Sequence, residues 1–363
     1  FYEKLIIYYP VNHKSFFNNS KVYKYLCISW SITKDFSEDG EFLDRYTNNS
    51  SRESENVCWI LMHLEKDTPK KIDNNVLILK KELLIKVFLN TLLFNKYNLE
   101  SKYLNTIIFL KNGLVGFKKF HSLAFNVDKI LKKNGIKKIF TPYEAQPYQL
   151  GLNKFVHNYY PEILTIGYIH SALPPLPTEY IYKQGSPKLL ITHGSTQKDI
   201  LIRLLDWDKN IILNMQSLRY SGKNFELSAN CIYLPYFLEN TNLIIEEFFK
   251  LIEIIYERID IKNLIIRNHP VMKNSFKHME FIKRINEVIF KYSRIFQAKQ
   301  TLSNDTAIVV GASAVVIELI ELGYSVYHIT LSPEFDVYSS NIWHDIYVQE
   351  ISKNIYLYKI IKK

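Results

Sequence analysis

Several apolar runs in this 363-residue chain end in side chains that could do chemistry. In KKIFTPYEAQPYQL (137–150) the run stops at Thr141-Pro142, and Glu144 follows between Tyr143 and Gln146. A carboxylate held at a strand end by an aromatic ring and an amide is expected to have a raised pKa and to serve as a general base. The alternative is a Glu that caps the next helix. ILTIGYIHSALPP ends in His170-Ser171, for which acceptor binding, phosphate binding and a hinge role all stay open. IKNLIIRNHP (261–270) turns from Leu264, Ile265 and Ile266 into Arg267, Asn268, His269 and Pro270. Proline stops a ladder and fixes the corner, so His269 is expected to leave the sheet toward a phosphate or a base. In TAIVVGASAVVIELIELGYSV the run ends at Gly311, and Ala312 and Ser313 open a helix. Small residues there, Gly311 and Ala314 among them, let backbone N–H groups approach an anion. Ser313 adds a hydroxyl, Glu318 is placed to reach ribose hydroxyls, and Gly323 closes the helix. Here the alternative is an ordinary strand–helix–strand unit with a surface Glu. Arg219, in NMQSLRYSG, follows a further strand and suits a carboxylate or phosphate.

Those residues need strands to hold them. Short apolar, β-branched runs alternate with longer helical patterns, the signature of βαβ units and parallel sheets. In the first half KLIIYYP, VCWILMHL, NVLILK, NTIIFL, IKKIFTP and LTIGYIHS predict strands. KELLIKVFLNTLLFNKY and FHSLAFNVDKILKKNG predict helices, the second closed by Gly135. Residues 34–56 are polar and predict a loop or a poorly ordered excursion. SALPPLPTEYIYKQGSPK breaks the periodicity with prolines and Gly185, which predicts a domain seam near residue 187. The second half alternates strands LLITHG, NIILNMQS, ANCIYLPY, NLIIRNHP, TAIVVG and YSVYHI with four helical patterns, a doubly wound α/β domain. Two such domains, 1–187 and 188–363, are expected to face a central cleft, with a return of the final residues to the first domain as an option. Ligands of open parallel sheets sit beyond the carboxyl ends of the strands.

Composition narrows the classes. With 47% hydrophobic and 14% aromatic residues the chain can bury large cores, which excludes disorder. The 46 basic against 36 acidic residues, a formal +10, favour anionic partners such as nucleotides or an acidic membrane surface. No nucleic-acid partner is expected, because lysines such as those of LKKNGIKKIF read as solvated helix faces. Cys27, Cys58 and Cys231 form neither a disulfide framework nor a metal knuckle, which suggests a reducing, cytoplasmic compartment. FYEKLIIYYPVNHK does not read as a leader. The most apolar long segment, 307–326, carries Glu318 and Glu321 and is core rather than a spanning helix, which needs ~20 apolar residues. The protein is therefore expected in the cytoplasm, at most peripheral at the inner face of the membrane. Asp206-Trp207-Asp208 imitates a metal-binding DxD but lies at a helix end without clustered oxygen ligands, so no metal is expected. GxSxG, P-loop and GxGxxG patterns are absent, which argues against hydrolase, kinase and dehydrogenase.

His269-Pro270 after an apolar strand, with Ser313 downstream at a helix start, resembles the HP and serine motifs of bacterial sialyltransferases, GT-B enzymes that use CMP-sialic acid. YEAQPYQ, IGYIHS and SLRY resemble, in order and spacing, the YEGQPWE, IGYQHS and RY motifs of bacterial surface-carbohydrate transferases, some linked to CMP-activated keto acids such as Kdo. The resemblance covers roughly residues 135–330. Ala145 stands where that motif has Gly, Tyr148 where it has Trp, and Gln149 where it has a second acid. The resemblance implies a GT-B fold, with an acceptor-binding first domain and a second domain that binds the nucleotide sugar. It places His269, Ser313 and Glu318 on the nucleotide side and makes Glu144 the base. Sialyltransferases carry their base in a D/E-D/E-G motif; the formal match, Glu38-Asp39-Gly40, lies in a polar stretch, so Asp39 is held in reserve.

The expected activity is metal-independent transfer of a CMP-activated nonulosonic acid to a hydroxyl of an oligosaccharide or lipid-linked bacterial glycan. A GT-B transferase or epimerase using a UDP- or GDP-sugar is the alternative enzyme. A non-catalytic glycan or nucleic-acid binder is the alternative of another class.

Overall fold

The computed structural model describes residues 6–18, 21–83, 115–215, 218, 227–256, 261–269, 272, 274–295 and 305–361. Arg219, Pro270, the expected strand NTIIFL and nearly all of the expected helix that starts at KELL lie outside the described residues. The class is α/β, with two doubly wound, Rossmann-like sheets as expected.

The first compact unit takes 1–170, 179–192 and 205–222. Its strands are β1 (Ile6–Pro10), β2 (Tyr25–Ser31), β3 (Val57–His63), β4 (Val76–Leu83), β5 (Lys138–Pro142), β6 (Leu164–Tyr168), β7 (Leu189–Thr192) and β8 (Ile212–Asn214), in the order β1-β4-β3-β2-β5-β6-β7-β8. Only β1 runs antiparallel to its neighbour. The order reverses between β2 and β5, which makes that crevice the switch point where ligands of such sheets sit. After β1 comes α1 (His13–Asn18), and α2 (Val115–Lys133) and α3 (Pro147–Tyr159) bury Leu123, Val127, Leu152 and Val156 with Leu26, Ile28 and Trp30 of β2. Successive strand residues face opposite sides. Cys58 therefore joins that core while Cys27 lies on the other side with Trp59 and Leu61, and adjacent strands hold two unlinked thiols.

Strand β2 escapes a search for apolar runs because Ser29 and Ser31 interrupt it, yet it is central. The stretch 34–56 is a loop, one of the two expectations, and it is ordered: Phe36 pairs with Phe42 in an isolated bridge, and Phe42 is fully buried against Trp59, contributing ~2 kcal/mol. Helix α2 is stopped by Asn134, not by a left-handed Gly135; the Asn134 amide donates to Ile130 O and its oxygen accepts from Tyr23 N.

The second unit takes 171–178, 193–204 and 223–363. The expected seam at 187 thus falls inside the first sheet, because β7 and β8 continue it in parallel after the proline-rich stretch loops out. Strands β9 (Cys231–Tyr233), β10 (Ile265–Arg267), β11 (Thr306–Val310) and β12 (Ser325–Ile329) are parallel in the order β10-β9-β11-β12, and β14 (Ile355–Ile360) and β13 (Ile346–Ser352) extend the edge antiparallel. The last described strands therefore complete this sheet. The switch point lies between β9 and β11. Helices α5 (Thr241–Ile255) and α6 (Phe276–Ile295) bury Phe248, Leu251, Phe281 and Ile285 on Ile232, Ile308 and Val310. Helix α7 (Val315–Glu321) packs on β11, β12 and β14, while α4 (Ser195–Arg203) and the short α8 (Pro333–Asp336) complete the unit. Among the described residues no helix is long and apolar enough to cross a membrane.

Candidate functional site

In the first unit the switch point carries Glu144. Pro142 ends β5, and Ala145 takes the left-handed φ of 51° that turns the chain into α3 with Pro147 in its first turn. Gln149, buried in that helix, fixes the turn from within. Its side-chain oxygen accepts from the backbone N–H of Glu144 (3.0 Å) and Gln146 (3.1 Å), and its amide donates to Pro142 O at 2.7 Å. These bonds hold the backbone, so the carboxylate of Glu144 projects from a rigid support. The Gln146 side chain donates to one Glu144 oxygen, and His170 Nε2, one strand over beyond β6, lies 3.5 Å from the other. The His170 side chain is 9% exposed and that of Glu144 35%, so the pair is open on one side.

One aromatic ring touches the pair and joins it to the core. Tyr46 meets the His170 ring edge-on at 4.5 Å and packs on Trp30, which in turn meets Tyr148. Tyr46 is placed by the buried carboxylate of Asp44, which accepts from Ser29 on β2 and from Thr47, both at 2.7 Å. Burial pushes the Asp44 pKa up despite those bonds. Burial first, then the Glu144 charge, pushes up the phenol of Tyr180. A carboxylate and an imidazole side by side, open on one side, can accept a proton from a hydroxyl.

Asp39 is engaged elsewhere. Its carboxylate accepts from Ser37 at 2.5 Å and pairs with Arg52, which also holds Asp73 at 2.8 Å. The Ser37 hydroxyl and then Arg52 hold its pKa at about 2, below the range of an effective base. Ser171 opens the 171–178 segment of the second unit. Of the imitated DxD, Trp207 is core and donates to Tyr180 O at 2.6 Å, and Asp208 caps a short turn through Asn210 N.

In the second unit the switch point lies between the turn after β9, Leu234-Pro235-Tyr236-Phe237, and the turn after β11, Gly311-Ala312-Ser313. Gly311 has φ 62°, a conformation that favours glycine, and a Cβ there would stand a tight 3.1 Å from Pro235 Cγ, so the two turns pack closely at this residue. Pro235 is held in turn by His278, whose Nε2 lies 3.0 Å from Pro235 O. Ser313 Oγ accepts from Val315 N at 3.3 Å, and Ala314 caps α7. His269 follows β10, with its carbonyl accepting from Met272 N and its ring 5.4 Å from Tyr236, edge-on. The structure thus brings His269, Gly311 and Ser313 to one sheet edge, beside an aromatic the motifs did not single out. Glu318 is buried on α7, its charge felt by Tyr338 and Glu321. Glu321, one turn on, accepts from the Thr196 hydroxyl at the start of α4 and leaves no room for a side chain at Gly194. Burial, with Glu318 nearby, pushes its pKa up to about 7.

No family model and no curated protein matches the chain. Solved structures that align with it include a glycosyltransferase from Rickettsia africae ESF-5, 13% identical over 84% of this chain and 78% of that one, with a TM-score of 0.39. Another is the N-terminal domain of trehalose-6-phosphate phosphatase from Candida albicans, 8% identical over 83% and 80%, with a TM-score of 0.38. Likeness this distant carries no argument about activity.

Proposed function

We propose that the chain is a glycosyltransferase that moves a CMP-activated nonulosonic acid, of the sialic acid or Kdo type, onto a hydroxyl of a bacterial surface glycan. The observation that carries the transferase assignment is the Glu144–His170 pair, at the switch point of the first sheet, with Tyr46 edge-on against His170. Support for cytidine comes from the order and spacing of the HP, serine and YEAQPYQ motifs.

In this mechanism the acceptor oxygen attacks the anomeric carbon of the donor as its proton passes to Glu144. The new C–O bond forms on the acceptor while the bond to the CMP phosphate oxygen breaks, and CMP leaves with the electron pair. His170 stabilises the carboxylate in its proton-accepting position and Gln146 orients it. As a separate proposal for the second unit, His269 and Ser313 bind nucleotide phosphate, and no metal is invoked. Attack and departure on opposite faces invert the anomeric centre.

The test is nucleotide release by the purified chain from a panel of CMP-, UDP- and GDP-sugars, with and without an oligosaccharide acceptor. Release from CMP-sialic acid or CMP-Kdo, lost in Glu144→Ala, is the expected result. Turnover of a UDP- or GDP-sugar alone would move the donor class, and salt-sensitive polyanion binding untouched by Glu144→Ala would mark a non-catalytic binder.

A further inference from the structure

Among the exposed aromatic side chains described in the second unit, Tyr236 is set apart by its place at the switch point and its ring contact with His269. It is 57% exposed, and it sits in the turn three residues past the end of β9, beside the crevice in which ligands of a doubly wound sheet lie. Its backbone is fixed from both sides. Pro235 before it packs under the Gly311 turn and is bonded to His278, and Phe237 after it lies under the Lys277 ammonium at 5.3 Å. His269 meets the Tyr236 ring at an interplanar angle of 80°, so the imidazole covers at most one face of the phenol ring. An exposed aromatic on a rigid strand end, with an imidazole at its side, is a stacking platform next to a phosphate-binding group.

We infer that Tyr236 is the residue on which the nucleobase of the ligand stacks, while His269 meets the phosphate. This rests on the second unit being the nucleotide-binding one. Stacking on a π-face tolerates any base, so Tyr236 sets affinity for a nucleoside over a bare sugar phosphate, and discrimination among bases falls to other groups.

The experiment titrates the full chain with CMP, UMP, GMP and ribose 5-phosphate by calorimetry, for wild type, Tyr236→Ala, Tyr236→Trp and Phe290→Ala, the last an exposed aromatic on α6 as control. Wild type is expected to bind at least one nucleotide more tightly than ribose 5-phosphate. Tyr236→Ala is expected to weaken that nucleotide about tenfold or more, with ribose 5-phosphate unchanged, while Tyr236→Trp and Phe290→Ala stay near wild type. Nucleotide binding unchanged in Tyr236→Ala overturns the inference and leaves the nucleotide-binding unit standing. If wild type binds no nucleotide, the assignment of the unit falls, and the inference with it. A second readout needs no variant: the base protons of bound CMP should shift upfield in NMR from the ring current, and an unshifted H5 and H6 overturns the stacking.

Discussion

At the switch point of the first sheet the reactive groups are locked and half hidden, whereas at that of the second an aromatic ring stands in the open. Glu144 projects from a backbone held by three bonds from one buried glutamine, with His170 and Tyr46 closing around it. In the second, Tyr236 and Phe237 are 57% and 69% exposed, and the neighbouring turn is built from small residues. A group that moves a proton needs its position fixed before the substrate arrives, because misplacement is felt as lost rate. A surface that binds a flat ligand needs an uncovered face. The contrast separates chemistry from grip, and each substitution below should disturb one without the other.

Glu144→Gln should have the largest effect. It keeps the shape but removes the proton acceptor, so kcat should fall by about 10²- to 10⁴-fold while CMP affinity stays at the wild-type value. Steady-state kinetics with calorimetry on the same preparation checks both halves; a variant that keeps its kcat removes Glu144 as the base. Gln149→Leu should come next. It strands two part-buried N–H groups and one buried carbonyl, at about 2 kcal/mol in stability, and should lower kcat more than it raises KM for donor. Chemical unfolding and the kcat-against-KM split check it.

The second unit offers a pH test. Because the Glu321 carboxyl, ordinarily near 4.5, titrates at about 7 in the folded protein, it stays protonated there after its unfolded counterpart has ionised. Stability is therefore lost as pH rises from about 4.5 to about 7, and little changes above. Glu321→Gln should match wild type at pH 4.5 and exceed it by about 2 kcal/mol at pH 8, a figure lowered for partial exposure. Unfolding midpoints at the two pH values check it. His269→Ala should raise donor KM about tenfold, the scale of one hydrogen bond to a charged phosphate, and leave the stability of the first unit unchanged.

How much of this was legible in the sequence follows from range. Strand ends announce themselves locally, since an apolar run that stops at Pro142, His269-Pro270 or Gly311 needs no distant partner to be noticed. The α/β class was readable for the same reason. Tyr46 was not, because it lies in a polar stretch whose fold depends on Phe42 reaching Trp59 across the chain. Strand β2 was missed because Ser29 and Ser31 read as loop, although Ser29 is inside to bond Asp44. The seam at 187 misled because prolines mark a break in periodicity, and here the chain re-enters the sheet it left. The contact of Glu321 with Thr196 joins residues too distant in sequence for any local pattern. Tyr236 lay in plain view at the end of ANCIYLPY, but only the switch point of the observed strand order gives its exposure a meaning.

The smallest predicted effect tests the lock itself. Ala145 is the left-handed residue between Glu144 and Gln146, a conformation that costs an L-residue ~1–2 kcal/mol and glycine almost nothing. Glycine loses more freedom on folding, by ~0.5–1 kcal/mol, and gives up a buried methyl, ~0.8 kcal/mol, so Ala145→Gly should leave stability within ~1 kcal/mol of wild type. Unfolding midpoints resolve that. If the Gln149 bonds are what hold the strained turn, relieving the strain should make them less necessary, and Gln149→Leu should then cost less in the Ala145→Gly background than in wild type. Additive effects would mean that the turn is held by its neighbours and that Gln149 only fills space. Coupling would tie the position of the Glu144 carboxylate to that one buried amide, which the second unit, with its open ring on a strand end, does without.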